Sequence, residues 1–168
     1  MLYWFLRHLP LSYQSRKGCD QAWTLVELLL ILSILGTLTA IAVPVYTNYM
    51  DKINNNHALA DIREIESKIV AYQVEHGNPP DTFTQVGLNN PLDPWGKPYE
   101  YLRILGVDKN QIKGKWRKDR FMVPINSDFD LYSMGKDGES TAPLTAKASR
   151  DDIVRANNGG YVGPASEF

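Results

Sequence analysis

The sequence predicts an α+β fold in which one long amino-terminal helix, apolar in its first half and amphipathic in its second, packs on a small three-stranded antiparallel sheet followed by a carboxy-terminal loop. Three observations lead there. Leu28 to Val45 reads LLLILSILGTLTAIAVPV, eighteen positions without a charge. Leu59, Ile62, Ile65, Ile69 and Tyr72 then recur at three- and four-residue spacing, with Asp61, Arg63, Glu64, Glu66 and Lys68 between them, the pattern of a helix with one buried face. Further on, Tyr99–Ile104 and Asp128–Ser133 alternate between apolar and polar residues, and Phe121–Ile125 is a short apolar run, each consistent with a strand.

The apolar run is the element that most restricts function. Crossing a hydrocarbon core of roughly 30 Å takes about 20 helical residues, and Leu25 and Val26 extend the run past Glu27 to that length. A buried core helix is the alternative, since it too can be apolar all round. A secretory signal would have a shorter apolar region followed by a small-residue cleavage site, whereas here Tyr46 and Tyr49 follow, aromatic residues suited to a membrane boundary. Arg7, Arg16 and Lys17 precede the span, and Lys52 is the only Lys or Arg in the first fifteen residues after it. The amino end is therefore expected on the cytoplasmic side and the rest of the chain beyond the membrane.

Two residues in the span stand out. A carboxylate at membrane depth costs at least about 2.5 kcal/mol, so Glu27 either sits hydrated at headgroup level or neutralises a cation. Pro44 removes a backbone donor and crowds the carbonyl of Ala40, so the helix should bend or loosen near Gly36, Thr37, Thr39 and Pro44.

Past the span, Gly77-Asn78-Pro79-Pro80 stops the helix, and Glu64 and Lys68 are spaced for an i,i+4 pair. Pro124 places the Phe121–Ile125 strand at an edge or strand end. Asp93-Pro94-Trp95-Gly96 is a turn in which Asp bonds its own backbone, Pro presets φ, Gly accepts positive φ and Trp anchors on the core. Lys109, Lys113, Lys115, Arg117, Lys118 and Arg120 crowd one loop with Trp116, which reads as a solvated loop or a subunit contact.

Composition excludes other classes. The chain has 168 residues, enough for one domain with an appendage, and a net charge of -1, which argues against nucleic acid as a partner. Its single cysteine, Cys19, rules out an internal disulfide and a cysteine-rich zinc site. His57 and His76 have no nucleophile or metal-ligand partner at meaningful spacing, and no phosphate-binding glycine loop occurs. The chain is not expected to be an enzyme.

The residues Trp23-Thr24-Leu25-Val26-Glu27-Leu28, an apolar run with Gly36, and Pro44 at its end resemble the amino-terminal segment of type IV pilins and type II secretion pseudopilins. With Trp23 as the first mature residue, the family's Thr, Glu, Gly and Pro fall on Thr24, Glu27, Gly36 and Pro44 in register. The resemblance implies a type IV pilin-like fold. It also implies cleavage between Ala22 and Trp23 by a prepilin peptidase, methylation of the new Trp23 amine, and attraction of a neighbouring subunit's amino terminus by Glu27 during filament assembly. The chain has Ala22 and Trp23 where the family usually has Gly and Phe, and cutting instead after Gly18 would put Glu27 out of register. Further along, the order Tyr72, Gly77, Pro80, Gly87-Leu88, Asp93-Pro94-Trp95-Gly96, Tyr99, Gly135-Lys136-Asp137-Gly138 and Asp151-Asp152-Ile153 resembles the major pseudopilins of type II secretion.

Clustered Asp with loop carbonyls can hold a hard cation. Asp137, Asp151 and Asp152, with Glu139 and Ser140 nearby, form such a set, although they lack the alternating ligands of an EF-hand and also read as a solvated acidic turn. The resemblance implies calcium held by the side chains of Asp137, Asp151 and Asp152 with main-chain oxygens. The connection Thr141 to Arg150 and the tail Val154 to Phe168 run longer than the family's usual ones.

The expected organisation is a prepilin leader over 1–22, a transmembrane assembly helix over 23–46 and a periplasmic pseudopilin domain over 47–168. The expected function is that of a structural subunit, anchored in the bacterial inner membrane and polymerising into a periplasmic filament that drives type II protein secretion. Its expected partners are further copies of itself, other pseudopilins, the inner-membrane assembly platform and a prepilin peptidase. The alternatives are a type IV pilin subunit of a surface fibre and a membrane-anchored calcium-dependent binding module that never polymerises.

Overall fold

The computed structural model describes residues 23–168; the expected leader over 1–22, with Cys19 and Ala22, lies outside the described residues. The chain divides into two compact units, one ending at Val43 and the other running Pro44–Phe168. Helix α1, Leu25–His76, contributes to both and continues through Pro44.

In the first unit, no described residue covers the apolar part of α1. None of its apolar window is buried within the chain, and Leu38 and Ile41 are 59% and 67% exposed. The hydroxyls in this stretch turn inward to the helix itself: Ser33 Oγ donates to Leu29 O at 2.7 Å and Thr39 Oγ1 to Leu35 O at 2.7 Å. Such bonds remove polar groups from a surface that must face apolar surroundings.

The second unit is a helix on a sheet. The amphipathic face predicted from spacing is the face that is buried: Ala58, Ile62, Ile65 and Ile69 are all less than 5% exposed. Glu64 and Lys68 pair across one turn at 2.8 Å on the opposite, solvated side, where such a pair adds little to stability. Gly77, with φ of +81°, follows the last helical residue, and Pro79 and Pro80 prevent resumption.

The sheet has four strands, not the expected three, in the order β1-β2-β3-β4, all antiparallel. Strands β1, Glu100–Arg103, and β2, Phe129–Ser133, are the two alternating segments predicted, paired from Glu100↔Tyr132 to Arg103↔Phe129. The third predicted strand, Phe121–Ile125, is not one. Asp119 and Met122 close a tight turn there, with Met122 N donating to Asp119 O at 2.6 Å and Asp119 N to Met122 O at 3.0 Å. Pro124 has no N–H to give a ladder, and Phe121 stands 99% exposed.

The remaining strands come from the tail: β3, Ile153–Ala156, and β4, Tyr161–Pro164, form a hairpin from Ile153↔Pro164 to Ala156↔Tyr161. The loop between them carries Asn157 and Asn158 at positive φ, a conformation asparagine tolerates better than most residues. Every residue of β3 is buried because it lies between two strands with both faces covered. Ile153 joins Phe129, Leu131, Tyr99 and Val162 against the helix, while Val154 and Ala156 join Ile125, Leu144 and Ala165 beneath the loops of the other face.

One short helix, α2 at Lys109–Ile112, opens the basic loop and is capped by Asp108, whose carboxylate accepts Asn110 N at 3.0 Å. The Asp93 turn is as its residue types predict. Asp93 Oδ1 accepts Trp95 N at 3.0 Å and Lys97 N at 2.8 Å, its Oδ2 accepts Ser133 Oγ at 2.6 Å, and Gly96 has φ of +83°.

Candidate functional site

Two regions carry the predicted functional residues. The first is the start of α1. Thr24 is placed just before the helix, and its Oγ1 accepts Glu27 N at 3.2 Å, one arm of the Thr-x-x-Glu arrangement that satisfies orphan donors at a helix start. Thr24 thus has a local role in starting the helix. Glu27 lies in the first turn, where the helix dipole favours a negative charge, and among the described residues its carboxylate makes no ion pair. Trp23 is 62% exposed. A Cβ added at Gly36 would meet nothing within 4 Å, so nothing in the chain itself requires glycine there.

The second region is the carboxy-terminal loop set. Asp137, Asp151 and Asp152 were expected to converge on calcium, and they do not gather. Among the described residues no three His, Cys, Asp or Glu side chains stand close enough to hold a metal ion. Asp137 Oδ1 accepts Glu139 N at 2.8 Å within its own turn, and Asp151 Oδ2 accepts Asp137 N at 3.1 Å. Asp152 is fully buried and turns the other way, its Oδ2 accepting Ser140 Oγ at 2.6 Å and Arg117 Nη2. Burial pushes the Asp152 carboxyl up to about 6 against the opposing pull of Ser140 and Arg117. Its Oδ1 has no partner among the described residues, but one such oxygen is far short of the six to eight that calcium takes.

Arg117 corrects the reading of the basic loop. The sequence groups it with solvated lysines, yet it is only 2% exposed. Its Nη1 donates to Ser140 Oγ at 2.5 Å and Thr141 O at 2.6 Å, its backbone N donates to Asp130 Oδ2 at 2.6 Å, and its guanidinium lies 4.3 Å from the centre of the Tyr132 ring. A planar fork of five donors suits this environment, where a point charge would not.

A second buried guanidinium, Arg155 on β3, was not singled out from the sequence at all. Its Nε donates to Glu66 Oε1 of α1 at 2.7 Å, Nη1 and Nη2 donate to Asp128 at 2.9 and 2.7 Å, and Nη1 also reaches Phe129 O at 3.0 Å. Burial opposes its charge, but the hydrogen bonds to Asp128 and Glu66 outweigh that and hold its pKa above the ordinary arginine value. No spacing rule could have found these partners, because Glu66 and Asp128 lie 89 and 27 residues away.

Comparison with known proteins finds relatives along most of the chain. The chain is 29% identical over 141 residues to a type II secretion system core protein G of Pseudomonas aeruginosa, covering 71% of this chain and 86% of that one. Over most of its length it is therefore similar to a core protein of type II secretion. A fimbrial protein of Neisseria meningitidis serogroup B is 26% identical over 145 residues, covering 82% of this chain and 84% of that one. A core protein G of Aeromonas hydrophila is 25% identical over 148 residues, covering 74% and 89%. No family model matches the chain. The chain's own helix α1 is long and apolar enough to cross a membrane, consistent with a membrane-anchored protein, and its α+β fold is consistent with a pilin-like one.

Proposed function

We propose that the chain is a structural subunit of a filament, assembled from a membrane-anchored precursor, and that the filament is the periplasmic pseudopilus of a type II secretion system. The observation that carries this reading is the apolar half of α1. Its large side chains are exposed from Leu25 to Val45, and a chain that leaves so much apolar surface uncovered needs lipid or other subunits to cover it. In the membrane the helix is held singly; in the filament the same surface is buried against neighbouring copies. Glu27 sets the register by drawing the free amine of a neighbour's Trp23, which supplies the cation its carboxylate requires at membrane depth. That amine exists only after a prepilin peptidase has cut between Ala22 and Trp23, and its methylation retains the charge. Other pseudopilins and the assembly platform would contact the same helix.

The chain's relatives include type IV major pilins of Neisseria gonorrhoeae, one of them 25% identical over 149 residues, which keeps a surface fibre as the second reading. The lone cysteine leaves no way to close an internal disulfide, and the order of turn residues from Gly77 to Gly138 favours secretion. Intact mass spectrometry of the membrane protein tests the shared premise: a species starting at methylated Trp23 supports a filament subunit, and a chain retaining residues 1–22 refutes it. Glu27→Val should be processed normally and fail to assemble; wild-type filament yield from that variant would end the charge-pairing role.

A further inference from the structure

The loops that the resemblance assigns to calcium already hold two cations, and both belong to the chain. Lys97 extends from the Asp93 turn so that its Nζ donates to Gly135 O at 3.2 Å and Lys136 O at 2.9 Å. Arg117 extends from the basic loop to Ser140 Oγ, Thr141 O and Asp152. Together they satisfy the oxygens at the two ends of this loop, Gly135 O and Lys136 O at one and Ser140 Oγ and Thr141 O at the other, and one oxygen of Asp152, just before β3. We propose that Lys97 and Arg117 are the resident cations of these loops, and that this protein closes its carboxy-terminal region without a divalent metal.

The local structure is shaped around both side chains. Gly138, with φ of +73°, leaves space for the Lys97 stem, since an added Cβ would lie 2.6 Å from Lys97 Cε and 3.0 Å from its Cδ. Lys97 is held at its own end by Asp93, which accepts its backbone N–H at 2.8 Å. Arg117 is pinned at its backbone by Asp130 and by Ile125 N, which donates to Arg117 O at 3.1 Å. The Arg117 side chain is 3% exposed and that of Asp152 0%. A calcium ion on Asp152 Oδ2 would displace the guanidinium and leave a buried arginine without its carboxylate, and one on the unpartnered Oδ1 would be buried beside that positive charge, either of which is strongly unfavourable. Three ammonium hydrogens suit loop carbonyls, and the guanidinium fork suits a carboxylate beside a hydroxyl and a carbonyl. The longer connection Thr141 to Arg150 fits this arrangement, because it brings Thr141 O to Arg117 and is tied in turn by Ser149 Oγ, which donates to Thr141 O at 2.8 Å.

The test uses the full-length protein in mild detergent, with calcium chloride as the probe. Melting temperature should be the same, to within about 1 °C, in millimolar calcium and in excess chelator, since a ligand without a native site adds no stability, and the purified protein should carry no stoichiometric calcium by atomic emission. A calcium-dependent rise of several degrees, or one calcium per chain, overturns the proposal, and neither measurement depends on a variant. Lys97→Met and Arg117→Gln should each lower the melting temperature by roughly 5–15 °C. Combining Arg117→Gln with Asp152→Asn should lower it by less than the sum of the two single changes. An unchanged melting temperature in Lys97→Met would show that its ammonium holds nothing, and would overturn its part of the proposal.

Discussion

Arg155 is a buried polar link between helix and sheet, and replacing it with methionine should be among the most destabilising single changes in the second unit. Methionine keeps most of the volume and an apolar stem, so the perturbation is mainly the loss of charge. The side chains of Glu66 and Asp128 are only 13% and 17% exposed, and both would lose the cation that neutralises them. Removing one partner of a buried ion pair costs about 3–5 kcal/mol. Loss of the guanidinium from the Phe129 ring, 3.9 Å from its centre, adds about 0.5–2 kcal/mol. A total of about 3.5–7 kcal/mol is a large share of a domain's usual stability of about 5–15 kcal/mol. Urea unfolding of the detergent-solubilised protein, followed by tryptophan fluorescence, should show a lower midpoint with an unchanged slope, because the surface exposed on unfolding is the same. The decisive comparison is Arg155→Met together with Glu66→Gln and Asp128→Asn. If the cost of the single change is that of stranded carboxylates, the triple variant should be more stable than Arg155→Met alone. A loss below about 1 kcal/mol in the single variant, or no recovery in the triple, would refute this account of how the helix is held.

Asp130 gives a pH dependence whose sign runs against the usual carboxylate. Burial pushes it from the usual 3.8 up to about 6, even though Arg117 N and Asn126 Nδ2 donate to it. The folded state therefore binds this proton more tightly than the unfolded state. The stability it contributes is full below pH 3.8 and is lost as pH rises through about 6, at most about 3 kcal/mol for a shift of this size. Asp130→Asn should flatten that part of the stability profile between the two values, and an unchanged slope would count against it. Gly135→Ala should cost about 2–3 kcal/mol from its left-handed backbone alone. Its φ is +65°, and an added Cβ would lie 2.8 Å from the Asp151 carbonyl carbon; a variant that melts like the wild type would show that this turn can relax.

What the sequence revealed and what it concealed divide along the range of the interactions. The buried face of α1, strands β1 and β2, the Gly77 stop and the Asp93 turn all rest on residues a few positions apart, and local periodicity and turn chemistry predicted them. Strand β3 was concealed because Arg155 interrupts its apolar run, and a charge in a central strand is acceptable only with partners that the sequence does not show to be near. Strand β4 was concealed by Gly163 and Pro164, which read as a loop. Phe121–Ile125 misled in the opposite direction, since its apolar residues lie on an exposed turn. In the candidate calcium loop, Asp152 was singled out from the sequence, but its contact with Arg117 was not legible, because the sequence separates the two by 35 positions.

The sheet's two borders bear on how such subunits can crowd together. Strand β1 is four residues long and carries Glu100 and Arg103, and strand β4 is also four residues and ends in Gly163 and Pro164, the last without an N–H to offer a neighbour. Short borders with charges or proline resist joining to the sheet of another molecule. A dense fibre of these subunits would therefore place many sheets side by side at high local concentration while keeping them from fusing into a continuous one. Cohesion would be left to the helices, whose apolar contacts can be made and withdrawn within lipid.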